Sequence, residues 1–187
     1  MILHSVALEW FRNYEGITVE FAPGVNVIYG ENAQGKTNLL EGIGYLSTAS
    51  SHRARYDREL IQFGRDHAFL KGALSARGRE FVLEARLHRG GRRQLFSNGV
   101  RLKRAAELSG VLTTVLFCPE DLDLIRAGAA ERRRFLDGCI SQLRPRYGEA
   151  LAEYRRLYEH KTRILRDYGE KPDLLDTLEE FNVQMAR

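Results

Sequence analysis

The chain has 187 residues, 43% of them apolar, with a formal net charge of +4 and a pI near 9.2. That composition supports one large domain or two small ones with a real core, and leans mildly toward anionic partners. It argues against a disulfide framework or a cysteine metal site, because Cys118 and Cys139 lack the spacing and read as free core thiols; with no basic leader and no apolar run long enough to span a bilayer, the expected location is the cytoplasm and no membrane partner is expected.

Residues 2–9 and 17–21 are predicted as paired strands, linked by the turn-bearing stretch Trp10 to Gly16. Pro23-Gly24 marks a second turn, and the β-branched run from Gly24 to Tyr29 is predicted as a buried strand. Gly30, four residues, then Gly35-Lys36-Thr37 follow, in the pattern G-x-x-x-x-G-K-[ST]. A helix is predicted from Lys36 to about Ser47, so the pattern sits between strand and helix, as its chemistry requires. Two glycines let the backbone curl its N–H groups toward phosphate oxygens, and the helix start adds positive potential. Lys36 would reach the β- and γ-phosphates, and the Thr37 hydroxyl would sit on Mg²⁺. The candidate nucleotide contacts are therefore Gly30, Glu31, Asn32, Ala33, Gln34, Gly35, Lys36, Thr37 and Asn38, with ATP and Mg²⁺ as the expected cofactors and Thr37 as the metal contact.

A polar stretch runs from Thr48 to Arg58, then a short helix is predicted over 59–63, stopped at Gly64, with Asp57 and Glu59 as its caps rather than metal ligands. Strands are predicted over 68–75 and 80–88, joined by Arg77-Gly78. Asn98-Gly99 predicts a hairpin between 94–96 and 100–102. Residues 111–117 read as a buried strand ended by Pro119. Beyond Pro119 the pattern turns helical. Leu122, Ile125, Phe135, Leu136 and Ile140 recur at helical intervals, and Tyr147, Leu151, Tyr154, Leu157 and Ile164 form a predicted packing seam. After Gly169 and Pro172 a second stripe (Leu174, Leu178, Phe181, Met185) predicts an antiparallel helical hairpin. The expected organisation is a head lobe over 1–118 and an incomplete helical lobe over 119–187, with the last stripe lacking a helix stop signal.

Several stretches together resemble the RecF family: "LEWFRNYEGITVEFAPGVNVIYGENAQGKTNLLEGI", "SHRARYDRELIQFG", "SNGV", "VLFCPEDLDLIRAG" and "ERRRFLD", in that order along nearly the whole chain. That family comprises bacterial recombination mediators related to the SMC-like branch of ABC ATPases. The resemblance implies an α/β ABC-type ATPase head, a P-loop plus an antiparallel β block, with a helical second lobe. It also implies DNA binding, ATP-dependent dimerisation, slow ATP hydrolysis, and work with the RecR and RecO proteins at gapped DNA. The family's signature motif and Walker B strand are expected beyond Arg187, so this chain alone should hydrolyse ATP little if at all. Ala49 and Cys118 stand where the family usually has Gly and Ser, with no expected effect on the chemistry. By position, Lys36 is the catalytic candidate and Glu120 a second contact for Mg²⁺ or water; Arg12 would pair with phosphate as a planar fork, beside Asn13, and Arg53 would stack on adenine or belong to a polar loop.

Three basic clusters contain the DNA candidates Arg92, Arg93, Arg101, Lys103, Arg104, Arg132 and Arg133. Charge runs are ordinarily solvated faces, and it is the resemblance that favours DNA here. Arg132 to Arg134 cannot all point one way on a helix. Tyr147, Tyr154 and Tyr158 read as helix packing rather than a base-stacking platform. Three functions follow: an ATP-gated DNA-binding protein of gap repair and replication restart, working as a dimeric clamp; a P-loop small-molecule kinase with an arginine lid over 132–134; and a non-catalytic docking module built on the helices.

Overall fold

A computed structural model describes residues 1–108, 110–118, 128–167, 169 and 172–186. Two compact units divide the chain, Met1–Pro145 and Arg146–Arg187. The compact units divide at Pro145, later than the expected lobe boundary at 118.

The first unit is built on a six-stranded antiparallel sheet in the order β2-β1-β3-β4-β5-β6. Its strands are β1 (Ile2–Phe11), β2 (Tyr14–Glu20), β3 (His67–Ala76), β4 (Arg79–His88), β5 (Gln94–Ser97) and β6 (Val100–Arg101). Period-two alternation sets one face. Val6 and Leu8 of β1, Leu70 and Leu74 of β3, and Leu83 and Leu87 of β4 are buried, while Glu9, Lys71 and Arg86 face out. The expected hairpin turns form. Arg77-Gly78 and Asn98-Gly99 both take positive φ at their two residues, the conformation whose twist suits a two-residue hairpin. The β1–β2 turn is tighter than predicted, only Arg12-Asn13, because Phe11 already pairs with Tyr14.

Helix α1 (Lys36–Thr48) covers the buried face of the sheet and contributes Leu39, Tyr45 and Leu46 to the core. Gly42 permits the close approach, since a Cβ there would lie 2.9 Å from Leu8 Cδ2. Helix α2 (Ala129–Leu143) belongs to the same unit. Gln142 Oε1 accepts hydrogen bonds from Ser47 Oγ at 3.1 Å and the Thr114 N–H at 2.8 Å.

Two expected strands fail for a common reason, and one expected helix for another. Residues 25–29 form no strand; Val25 is 90% exposed and Tyr29 89%. Residues 113–118 likewise lie outside any strand, and Val115 is 98% exposed. A parallel-type strand is buried only between neighbours on both edges, and none of the sheet's strands pairs with these segments. The short helix at 59–63 shrinks to a 3₁₀ turn, Asp57–Glu59, because Ile61 bridges Phe11 of β1 instead of continuing a helix.

In the second unit, α3 (Pro145–Asp167) runs to a 3₁₀ segment, Pro172–Thr177, and α4 (Leu178–Met185). The ring of His160 stacks on Phe181, and Lys161 Nζ donates to Asn182 Oδ1 at 2.6 Å, so α4 lies against α3. Among the described residues of the predicted seam, only Leu157 is buried. Tyr154 and Tyr158 are exposed and stack on each other at 6.3 Å, which corrects their reading as packing residues. Leu122 and Ile125 lie outside the described residues.

Candidate nucleotide site

The glycine loop leads into α1 beneath the β1–β2 turn. Asn13 Nδ2 donates to the Gln34 carbonyl at 3.2 Å, and Tyr14 OH to the Gly35 carbonyl at 3.0 Å. Asn38 Nδ2 donates to Asn13 Oδ1 at 2.8 Å, and Arg53 Nη1 to Asn38 Oδ1 at 3.0 Å. The turn thus clamps the loop's C-terminal end. Gly35 is required at that clamp: its φ is +102°, and a Cβ would meet the Asn13 amide at 2.7 Å and Tyr14 OH at 2.9 Å.

Lys36 curls back over the loop. Its ammonium donates to the carbonyls of Gly30 at 2.8 Å and Glu31 at 2.6 Å, so a cation stands at the centre of the loop. The start of α1 has no side-chain cap and no acid in its first turn. First-turn N–H groups need external acceptors, and an anion satisfies them with help from the helix dipole. Thr37 is exposed at the same end. Donors without acids, a central ammonium and a hydroxyl for a hard cation fit a Mg²⁺–triphosphate. Glu31, Asn32, Ala33 and Gln34 are exposed along the loop.

One residue central to the site was not foreseen. Glu41 is fully buried in the middle of α1. Its Oε2 accepts from Arg12 Nε at 2.9 Å and its Oε1 from Arg12 Nη2 at 2.7 Å; Ser51 Oγ donates to Oε1 at 2.5 Å, and Arg53 lies 3.7 Å away. Burial pushes the Glu41 carboxyl up, but the hydrogen bonds from Arg12 and Ser51 and the charges of Arg12 and Arg53 outweigh it and hold the carboxyl below its usual value. Arg12 Nη1 donates to the Glu59 carbonyl as well. In this structure the Arg12 fork closes on Glu41. Arg53 is held between Asn38 and Glu41. The sequence signal for Glu41 was available: a lone acid inside Leu39-Leu40-Glu41-Gly42-Ile43 with the polar Ser51-His52-Arg53 stretch nearby.

Other candidates sort by position. Asp57 and Glu59 do not cap a helix. Asp57 accepts from Tyr45 OH at 2.9 Å and pairs with Arg93 at 3.2 Å, while the Glu59 carboxylate accepts the Arg55 N–H. Arg93 is thus ion-paired rather than a bare surface cation. Arg92, Lys103 and Arg104 gather beside it on one groove. Arg101 is exposed on β6, and Arg132 and Arg133 are exposed on α2. Glu120 lies outside the described residues. Among the described residues, no helix is long and apolar enough to cross a membrane.

Comparison with known proteins gives a consistent picture. A family model described as an AAA domain matches residues 5–94. The chain is 40% identical over 185 residues to the DNA replication and repair protein RecF of Agathobacter rectalis, covering 99% of this chain and 51% of that protein. A solved structure of the recombination mediator protein RecF with ATP, described as part of the RecFOR pathway, superposes with a TM-score of 0.92 at 36% identity, over 98% of this chain and 50% of that one. A solved SMC ATPase structure shares the fold at a TM-score of 0.59 and 21% identity, over 73% of this chain and 98% of that one. The fold is that of an ABC-type ATPase head, and the chain spans about half the length of the curated relatives it matches.

Proposed function

From the membership of this chain in the RecF family, about half of whose length it spans, we propose that it carries the nucleotide-holding part of an ATP-dependent DNA-binding protein. The observation that carries this reading is the Lys36 ammonium over a loop whose helix begins uncapped and without acids. On nucleotide binding, Lys36 would exchange the Gly30 and Glu31 carbonyls for phosphate oxygens. The first-turn N–H groups would hold the same phosphates, and Thr37 would bind Mg²⁺ through its hydroxyl. Mg²⁺ held there would supply a compact positive charge that offsets the charge of the phosphates. Arg12 acts as a positioning residue. By holding Glu41 it fixes α1 against the β1–β2 turn, and through Asn13 and Tyr14 that turn fixes the loop.

Gap repair and replication restart, a homodimer favoured by ATP, and cooperation with RecR and RecO belong to this proposal. A ligand shifts a protein only toward the state it binds better, so ATP would favour a dimer that satisfies the phosphates from both subunits. The kinase reading loses its basis, because the fold is an ABC-type head. The test titrates gapped DNA against the natural full-length gene product with and without ATP–Mg²⁺, at two salt concentrations, using wild type and Lys36→Ala. ATP should tighten DNA binding by roughly tenfold, the scale of a coupling free energy of 1–3 kcal/mol, in wild type alone. DNA binding indifferent to ATP in both proteins would sink the proposal.

A further inference from the structure

Three segments far apart in the chain meet at one open groove of about 360 Å³: the turn at Asp57, the β4–β5 connection with Arg92 and Arg93, and the residues after β6, Lys103 and Arg104. Four of its lining side chains are cationic and one is acidic. The acid is already engaged, since Asp57 pairs with Arg93 at 3.2 Å and accepts from Tyr45 OH. Separate charge runs on a surface ordinarily diverge into solvent. Here two runs, 92–93 and 103–104, are brought to one concave site by antiparallel pairing of β5 with β6. Cations gathered in a cleft repel one another and raise the local concentration of anions. Tyr56, next to Asp57 in sequence, is about half exposed, with the guanidinium carbons of Arg58 and Arg55 at 4.7 Å and 5.5 Å from its ring centre.

We propose that this groove is a nucleic-acid backbone site, in which Arg92, Lys103 and Arg104 hold phosphates and Asp57 is the resident counter-ion that keeps Arg93 in place. The proposal rests on the DNA-binding reading above and goes beyond it by assigning the surface. Arg92 and Lys103 are exposed and reach the phosphates, whereas Arg93 builds the floor. The same floor is anchored to the nucleotide helix, because Tyr45 belongs to the last turn of α1, and Arg93 Nη1 also lies 3.4 Å from its hydroxyl.

The test uses the natural full-length gene product and a fluorescent DNA duplex carrying a gap, with affinity measured across a salt series. For every phosphate that the protein no longer neutralises, the log–log salt slope becomes shallower by about 0.9. The double variant Arg92→Glu/Lys103→Glu should flatten the slope by about 2 and weaken binding at least tenfold, with ATP affinity and Tm unchanged. Asp57→Asn, which keeps an acceptor for Tyr45 OH, should strengthen binding severalfold. Glu20→Gln removes a negative charge from β2, on the opposite edge of the sheet, and should change nothing. If wild type binds DNA and the double variant keeps both slope and affinity, the groove assignment is wrong while the DNA reading stands. Equal strengthening by Asp57→Asn and Glu20→Gln would also overturn it, as an effect of net charge alone. Absence of DNA binding by wild type overturns both.

Discussion

Glu41→Ala should lower the unfolding free energy by about 3 kcal/mol, or roughly 6–12 °C in Tm at this chain length. The carboxylate is fully buried and accepts three hydrogen bonds from Arg12 and Ser51. Removing it leaves the Arg12 guanidinium facing an apolar gap. The expected cost sits at the low end for a broken buried pair because the Arg12 side chain remains 22% exposed and can reach water. The same group predicts acid lability. Its carboxyl is held below the usual value of 4.5, so its stabilisation is complete above that pH and is lost as pH falls through the lower folded value. The stability difference between wild type and Glu41→Ala should therefore narrow as pH falls below 4.5 toward the lower folded value. Urea unfolding at pH 7 and at pH 3 measures both. An unchanged midpoint at pH 7 would show that the Arg12–Glu41 pair does not hold the turn against α1.

Gly35→Ala should weaken ATP binding by roughly 100-fold, the scale of an ångström of misplacement at a site of fixed geometry. A Cβ at Gly35 cannot coexist with Asn13 and Tyr14 at their present positions, since it would lie 2.7–2.9 Å from both. Its φ of +102° adds backbone strain of about 1–2 kcal/mol. Either the loop moves or the turn releases it; both displace the first-turn N–H groups. Gly30→Ala is the control, because a Cβ there meets nothing within 4 Å, and only the strain at φ +144° remains. Calorimetric titration of the two variants should give a far larger loss of affinity for Gly35→Ala. Similar losses would mean that backbone conformation, not the Asn13–Tyr14 clamp, governs the site.

What the sequence made legible was local. The glycine loop, α1 and the hairpins at Arg77-Gly78 and Asn98-Gly99 each depend on a few adjacent residues, and each formed within one or two residues of its expected place. Burial is not local. Val25, Val27, Val115 and Phe117 carry the composition of a core strand yet stand exposed, because burial requires partner strands that composition does not encode. Tyr154 and Tyr158 kept helical spacing and found each other instead of a core. The site shows the same division. Lys36 and Thr37 were readable from the motif, whereas Glu41, Tyr14 and the Asp57–Arg93 pair depend on which segments meet. Arg93 read as one of a run of surface charges, and only the fold shows that it is paired while Arg92 beside it is exposed.

The claim on which the rest depends is that residues 30–38 hold a nucleoside triphosphate through Lys36. ATP–Mg²⁺ should be titrated calorimetrically into wild type and Lys36→Ala under identical conditions. Removing a charge-assisted hydrogen bond of about 1.5–3 kcal/mol predicts an affinity roughly 10- to 150-fold weaker in the variant. Equal affinity in the two proteins, or no heat of binding in wild type, would contradict the account.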